Sequence, residues 1–292
     1  MRIFEWNRLL YLHSNLCRCY KIFWLYIMSD MLKKGALVPL CRIFVIFGIF
    51  VAAQPQWSEG TDLSRSRSAL AAANLSPTVL ASVLTKIDAA PKSFQRYLAA
   101  VLADRREDPL LLYLVDKGNA LPEAYTPTDL VPLEGTGLSV SRTGHRLRKN
   151  AFQALKAMDL AARTEGVTLL VSSSYRSFAY QLEVWNRSVA ADGLAETEVS
   201  VARPGHSQHQ LGTAIDFGSI TDAFSATKAS HWLAVNAHRF GFSLSFPKDM
   251  MPVTGYKWES WHYRFIGEAA ASLENEYFGG IQHHLLSFLD KL

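Results

Sequence analysis

The sequence predicts an α+β fold, in which a small antiparallel sheet is flanked by helices and preceded by a helical N-terminal segment. Three observations support this class. Helical apolar spacing dominates residues 68–114, and strand candidates begin only at residue 167. Beyond that point, strands and helices are mixed without the regular alternation of an α/β protein.

The first 53 residues have the composition of an export leader. From Met31, two lysines precede an apolar run at 43–50, and two alanines precede Gln54. This charged, apolar and small-residue order is typical of a secretory signal peptide, here cleaved after Ala53. The apolar stretch is about 11 residues, short of the roughly 20 needed to span a bilayer. We expect translation from Met31 and export to the periplasm or cell envelope, with an uncleaved membrane anchor as the alternative.

The charge balance argues against a nucleic-acid partner. The chain has 30 basic and 26 acidic residues, of which seven and two, respectively, precede Gln54. The remaining chain is therefore close to neutral and has no basic surface signal. The sequence also indicates no obligatory protein partner.

Residues 54–115 predict a helical N-terminal segment, to which the sequence assigns no role. The Ser76-Pro77 pair suits a helix that begins with an N-cap serine and a proline in the first turn. The predicted helices cover residues 68–74, 77–89, 91–104 and 109–115.

Residues 116–292 predict the main domain, which follows a proline-rich connector at 116–131. An amphipathic helix at 142–164, closed by Gly166, leads into a buried strand at 167–171. A long polar loop at 194–206 is expected to be functional. The other predicted helices are 178–190, 227–240, 268–277 and 281–289, and the other strands are 213–217, 242–246 and 261–266.

Two histidine-containing stretches predict a metal site. His209 lies in a Pro/Gly turn just before the 213–217 strand, which carries Asp216 between apolar neighbours. A carboxylate in that position is costly unless it is paired or bound to a cation. His262 on a later strand offers a third ligand, and catalytic zinc uses three protein ligands. The prediction is one catalytic Zn²⁺ held by His209, Asp216 and His262.

Glu259 lies three residues before His262 and is not needed as a ligand. We interpret it as the general base that takes a proton from the attacking water. His206, three residues before His209, is expected only to line the cleft.

The full set of residues resembles the VanY-type zinc D-alanyl-D-alanine carboxypeptidases, which include the vancomycin-resistance D,D-dipeptidases and share their fold with the hedgehog signalling domain. The resemblance covers roughly residues 115–266. It rests on the connector, on the segment Ser173-Ser-Tyr-Arg176-Ser177-x-x-x-Gln181, and on Ser207-x-His209-x-x-Gly212-x-Ala214-x-Asp216 followed by Glu259-x-Trp-His262.

The resemblance implies the same three zinc ligands, Glu259 as the base, and Arg176 as the cation that polarises the scissile carbonyl. A permanent guanidinium cation suits a developing oxyanion on physical grounds as well. We interpret four further polar residues as candidate contacts for the peptide or its terminal carboxylate: Ser174, Ser177, Gln181 and Ser207.

The resulting hypothesis is an exported zinc metallopeptidase that trims the terminal D-Ala from peptidoglycan stem peptides ending in D-Ala-D-Ala. One alternative is an L,D-carboxypeptidase or a peptidoglycan endopeptidase of the same fold, because zinc chemistry does not select stereochemistry. The other is a non-catalytic zinc-fold binding module. The presence of both Glu259 and Arg176 argues against the binding module, since binding alone needs no base.

A serine mechanism is the remaining possibility for this reaction. Ser225-x-x-Lys228 and Ser245-x-x-Lys248 match the Ser-x-x-Lys element of serine penicillin-binding proteins. The Lys-Thr-Gly and Ser-Asp-Asn elements that complete such a site are missing from the sequence. We therefore expect a metal-dependent enzyme.

Overall fold

The computed structural model describes residues 62–292, and the predicted signal peptide lies outside them. Three helices come first: α1 (Leu63–Ala72), α2 (Pro77–Ala89) and α3 (Pro91–Glu107). The predicted N-cap of α2 is confirmed, because the Ser76 hydroxyl accepts a hydrogen bond from the Val79 amide at 3.3 Å. Within the described residues, the structure contains no helix both long and apolar enough to cross a membrane.

The sheet region follows and mixes short strands with helices, without regular alternation. In chain order its elements are β1 (Leu130–Pro132), β2 (Ser139–Val140), β3 (Arg146–Arg148), α4 (Lys149–Thr164), β4 (Leu170–Ser173), α5 (Phe178–Asp192), α6 (Leu194–Ser200), β5 (Ala214–Phe217), α7 (Lys228–Asn236), β6 (Phe242–Leu244), α8 (Met251–Thr254), β7 (His262–Phe265), α9 (Glu268–Tyr277) and α10 (Gln282–Lys291). Three 3₁₀ turns at Gln208–Leu211, Asp222–Ala226 and Ala237–Phe240 complete the set.

The strands form a five-stranded sheet in the order β2-β4-β5-β7-β6 and a separate β1-β3 pair. The predicted α+β class is confirmed. The sheet is mixed rather than wholly antiparallel, because β2 and β4 run parallel while the other pairs run antiparallel. All four residues of the central strand β5 are buried, so both faces of the sheet are covered at its centre.

The N-terminal helices contribute to the same apolar core as the sheet region. Phe94 of α3 packs edge-on against Tyr277 of α9, with ring centroids 5.2 Å apart, and lies 6.2 Å from Phe288 of α10. Leu70 of α1 and Ile87 of α2 are also fully buried in this cluster. The functional boundary between residues 115 and 116 stays a prediction.

Three local predictions are wrong. Residues 142–148, the start of the predicted 142–164 helix, contain a bend and strand β3 instead. Residues 109–115 form turns rather than a helix, because Arg264 donates hydrogen bonds to the carbonyls of Leu111 and Tyr113 at 2.8 and 2.9 Å. The Arg264 side chain of β7 therefore takes carbonyls that a helix would use for its own hydrogen bonds. The predicted loop at 194–206 begins with helix α6, which follows the N-cap residue Gly193, whose φ is positive at 81°.

Candidate metal centre

A tight turn brings His209 to the start of β5. The Ser207 hydroxyl accepts a hydrogen bond from the His209 amide, and the turn ends at Gly212 in the left-handed conformation with φ of 72°. A Cβ at Gly212 would lie 2.9 Å from the Arg148 side chain and 3.0 Å from that of Leu130. Only glycine fits there without displacing these side chains, so Gly212 fixes where the turn enters the strand.

The pairing of β5 with β7 brings in the other two predicted ligands. Asp216 is the direct antiparallel partner of His262 in this register. A single-residue shift would turn one of the two side chains to the opposite face. One ligand atom each from His209, Asp216 and His262 lies within 4.8 Å of the others, and all three residues are buried.

Hydrogen bonds on the outer side of each imidazole determine which nitrogen faces the centre. His209 donates from Nδ1 to the Ser174 carbonyl at 2.7 Å, leaving Nε2 at 3.2 Å from Asp216 Oδ2. His262 has Nε2 at 3.1 Å from Gln208 Oε1, and its Nδ1 lies 2.9 Å from Asp216 Oδ1. The inward atoms are therefore His209 Nε2, His262 Nδ1 and the Asp216 carboxylate.

The protonation states suit metal binding. Burial and the neighbouring Arg176 cation lower the pKa of His209 to about 4, which keeps the imidazole neutral near pH 7. Burial acts to raise the pKa of Asp216, but its contacts with His209 and His262 hold that pKa well below the usual range. Neutral imidazole and ionised carboxylate are the forms that bind zinc.

A cation already occupies part of this donor set. Arg176 Nη2 donates to Asp216 Oδ2 at 2.8 Å and lies 2.9 Å from His209 Nε2. The lone pairs that would bind an ion therefore already face positive charge. Two nitrogens and one carboxylate oxygen, converging and buried, fit a zinc ion. An ion bound to those atoms would replace the Arg176 contacts with them.

Glu259 lies on the open side of the three ligands. Its Oε2 is 3.5 Å from His262 Nδ1, and 17% of its side chain remains exposed. Burial and repulsion by Asp216 raise the pKa of Glu259 well above its usual value, and Arg176 offsets part of that rise. A carboxylate with a raised pKa binds a proton readily, as a general base requires.

These residues line a cavity of ≈ 580 Å³. Arg176 forms part of its wall, where its Nε donates to Ser173 Oγ at 3.0 Å and its Nη1 to Gln181 Oε1 at 3.2 Å. Trp261 and the half-exposed Ile220 add apolar surface to the same wall. A cavity with apolar walls and a few converging polar groups is typical of a small-ligand site.

The four predicted substrate contacts separate into two pairs. Gln181 and Ser207 line the cavity. Ser174 lies behind the ligands instead, with its hydroxyl 3.1 Å from both His145 Nδ1 and the Arg146 amide. Ser177 caps α5 by accepting from the Tyr180 amide at 3.2 Å. The geometry thus gives Ser174 and Ser177 structural partners away from the cavity.

His206 and the Ser-x-x-Lys match at Ser245 also lie near the site. His206 lines the cavity as predicted, with Nδ1 2.7 Å from the Asp116 carbonyl. Ser245, from one Ser-x-x-Lys match, donates to Gln208 Oε1 at 2.7 Å. Its partner Lys248 lies over the Trp258 ring, 5.7 Å from the centroid. The Ser245 hydroxyl and the Lys248 amine therefore contact different residues rather than each other.

Sequence reasoning missed two polar residues of the site. Ser173 holds Arg176, and Gln208 contacts His262. Gln208 immediately precedes the predicted ligand His209, so its position beside the site could be predicted from the sequence. Its contact with His262 could not, because that contact depends on strand pairing.

Residues 144–268 match the VanY family, described as D-alanyl-D-alanine carboxypeptidase. Over 170 residues the chain is 36% identical to the putative carboxypeptidase YodJ of Bacillus subtilis, covering 56% of this chain. The chain spans 62% of the length of that curated relative.

Two solved structures are similar at the level of both fold and sequence. One is the LdcB LD-carboxypeptidase, at 35% identity and a TM-score of 0.52, covering 59% of this chain and 86% of LdcB. The other is a mutant of the vancomycin resistance D,D-pentapeptidase VanY from the VanB-type cassette, solved with Zn(II). That match has 33% identity and a TM-score of 0.51, covering 61% of this chain and 99% of the other.

The fold and the sequence similarity place this chain in the class of carboxypeptidase-like domains, and its buried His-Asp-His centre has a donor set that fits one zinc ion. With nearly the whole of VanY covered at 33% identity, this chain belongs to the VanY family of D-alanyl-D-alanine carboxypeptidases.

Proposed function

We propose that this protein is a zinc-dependent carboxypeptidase that removes the terminal D-Ala from peptidoglycan stem peptides ending in D-Ala-D-Ala. The observation that carries the proposal is the position of Glu259. Its carboxylate is not one of the three predicted ligands, yet its Oε2 lies 3.5 Å from Nδ1, the inward-facing nitrogen of His262. A metal site used only for structure is closed by protein ligands and needs no adjacent base.

The residues of the site divide the hydrolysis between them. His209, Asp216 and His262 would hold the zinc ion, which supplies Lewis acidity to the scissile carbonyl. Glu259 takes a proton from the attacking water and returns it to the amine as the C–N bond breaks. Arg176, held by Ser173 and Gln181, presents a fixed cation to the oxygen that gains negative charge.

The cavity wall supplies groups for the end of the peptide. Gln181 donates to the Ala202 carbonyl at 2.7 Å, which fixes its amide, and Ser207 is held in the turn before His209. Both lie in the wall of the cavity. We assign them to the terminal residue of the substrate, where fixed polar groups select a free carboxylate over a continuing chain.

An L,D-carboxypeptidase is the second candidate, favoured by the similarity to LdcB. The two activities differ in the stereochemistry of the residue before the scissile bond. The test is to incubate the zinc-loaded protein with defined pentapeptide and tetrapeptide stems and to identify products by mass spectrometry. Loss of one alanine from the pentapeptide supports the D,D assignment, whereas shortening of the tetrapeptide alone contradicts it in favour of the L,D activity.

We further propose that the protein acts outside the cytoplasmic membrane, where peptidoglycan is assembled. The support is the signal-like order of residues 31–53. N-terminal sequencing of the exported protein is expected to give Gln54 as the first residue. A protein that stays in the cytoplasm would contradict this proposal without affecting the assignment of the site.

A further inference from the structure

Behind His262 lies a closed ring of buried polar side chains that the catalytic chemistry does not use. It consists of Gln208 in the turn before β5, Ser245 just after β6, and Gln282 at the first position of α10. All three are at least nine-tenths buried. We call these three residues the amide ring.

The shorter hydrogen bonds of the amide ring run in one direction. Ser245 Oγ also lies 3.4 Å from Gln282 Oε1, but its single proton goes to the nearer Gln208 Oε1. Gln282 Nε2 donates to Ser245 Oγ at 3.2 Å, and Ser245 Oγ donates to Gln208 Oε1 at 2.7 Å. Gln208 Nε2 donates to Gln282 Oε1 at 3.2 Å, which closes the ring. Each amide thus uses its oxygen as an acceptor and its nitrogen as a donor.

A backbone carbonyl sets that direction. Gln282 Nε2 also faces the Ser243 carbonyl at 3.5 Å, and a carbonyl can only accept. A flipped Gln282 amide would place Oε1 against that carbonyl, and neither of these two oxygens can donate. Gln282 Oε1 must therefore face Gln208, Gln208 Nε2 must donate to it, and Gln208 Oε1 is left as an acceptor beside His262.

The orientation of the Gln208 amide determines which atom faces His262. His262 Nε2 lies 3.1 Å from Gln208 Oε1, so once an ion takes the place of the Nδ1 proton, the remaining imidazole proton is held on Nε2 by that acceptor. Nδ1, which lies 2.9 Å from Asp216 Oδ1, then has its lone pair free for an ion. A second partner of a ligating histidine commonly fixes the ring and its tautomer in this way.

We propose that the amide ring is a positioning device that fixes His262 in the tautomer and orientation needed to bind zinc through Nδ1. Gln208 is its contact residue, and Gln282 connects the C-terminal helix to the metal centre. The inference rests on the zinc site of the proposed function, but not on the choice of substrate.

The first test compares variants at Gln208 by competition titration of zinc affinity. Gln208→Leu removes the acceptor, and we expect the zinc Kd to rise about 10–100-fold. Gln208→Glu keeps an acceptor oxygen for His262 and is expected to retain most of the affinity. Zinc affinity in Gln208→Leu equal to that of the wild type would overturn the proposal.

The matched control is Gln210→Leu. Gln210 is a fully buried amide on the same short turn, but its Nε2 donates to the Pro122 and Tyr125 carbonyls, away from the metal centre. This variant is expected to lose stability while keeping its zinc affinity. An equal loss of affinity in Gln210→Leu would mean that loosening the turn is sufficient, which contradicts a specific role for the amide ring.

A second test reads the tautomer directly. In ¹⁵N-labelled, zinc-loaded wild-type protein, the His262 ring is expected to show a protonated Nε2, and a proton on Nδ1 would overturn the proposal.

If Gln208→Leu does not fold, Gln282→Leu carries the affinity test, because it touches no ligand and is expected to weaken zinc binding in the same direction. These readouts need no turnover, so a failed activity assay leaves them interpretable.

Discussion

At the scale of single residues, Asp216 is the charge around which the site is arranged. Its two oxygens face His262 Nδ1 on one side, and His209 Nε2 with Arg176 Nη2 on the other. A buried carboxylate is stable only with such partners. Because Arg176 contacts the same donor atoms that an ion would use, a bound ion would displace the guanidinium from them.

Glu259 provides the sharpest mutational prediction at this scale. Glu259→Gln keeps the size and hydrogen bonding of the side chain but cannot accept the proton from water. We expect kcat to fall about 10²–10⁴-fold with zinc still bound. The measurement is turnover of a D-Ala-D-Ala stem peptide beside the zinc content of the same sample.

His209→Ala is the companion variant, since it should lose zinc together with activity. Near wild-type turnover in zinc-loaded Glu259→Gln would remove Glu259 from the mechanism.

The convergence of His209, Asp216 and His262 was predictable from sequence, because a carboxylate among apolar neighbours on a strand needs a partner or a cation and two histidines lie near such strands. Gln208, Ser245 and Gln282 were not, since buried amides and hydroxyls have no distinctive chemistry. Their contacts join residues 37 to 74 positions apart. Such contacts exist only once β5, β6 and α10 are in place.

At the scale of elements, the long helices and the strands β5, β6 and β7 were predictable, whereas the strands β1, β2 and β3 were not. Helices α4 and α9 follow local apolar spacing, which a sequence displays directly. Strands β1, β2 and β3 have two or three residues each, too few for an alternating pattern. Their existence depends on partners far along the chain, so only the fold reveals them.

Helix α9 carries a buried acid that should make stability depend on pH. Glu274 accepts from Ser243 Oγ at 2.8 Å, while its Oε2 has no partner among the described residues. Burial raises its pKa to about 8. The folded state therefore binds more protons than the unfolded state between that pKa and the ordinary value of about 4.3. The free energy of unfolding should fall as pH rises through this window, by at most about 1.4 kcal/mol per pH unit.

Glu274→Gln is expected to remove this dependence and to be more stable than the wild type at pH 8.5. Thermal unfolding of both proteins at pH 6 and pH 8.5 measures the effect. Glu276→Gln, at an exposed position of the same helix, serves as the control. Identical pH slopes for the wild type and Glu274→Gln would show that Glu274 ionises freely in the folded protein.

At the scale of the whole molecule, the N-terminal helices and the catalytic sheet share one core. The sequence predicted helices α2 and α3 but not where they pack, because their apolar faces do not specify a partner. In the fold they cover α9 and α10, and α10 begins with Gln282 of the amide ring. The N-terminal helices therefore pack against the helix that carries Gln282 of the amide ring.

Phe94→Ala tests this arrangement. Removing the ring from between Tyr277 and Phe288 should cost about 3–5 kcal/mol in the free energy of unfolding. Far-UV circular dichroism and tryptophan fluorescence should shift together, because the tryptophans of the described region begin at Trp185. Lys92→Ala, exposed on the same helix, should leave both unchanged. An unshifted fluorescence transition would show that the N-terminal helices fold separately.

The central claim is that His209, Asp216 and His262 hold one zinc ion beside Glu259. Anomalous diffraction at the zinc absorption edge, on crystals of the zinc-loaded protein, tests it most directly. We expect a single strong peak, bonded to His209 Nε2, the Asp216 carboxylate and His262 Nδ1. A zinc-containing crystal whose anomalous peak lies away from these three side chains would contradict it.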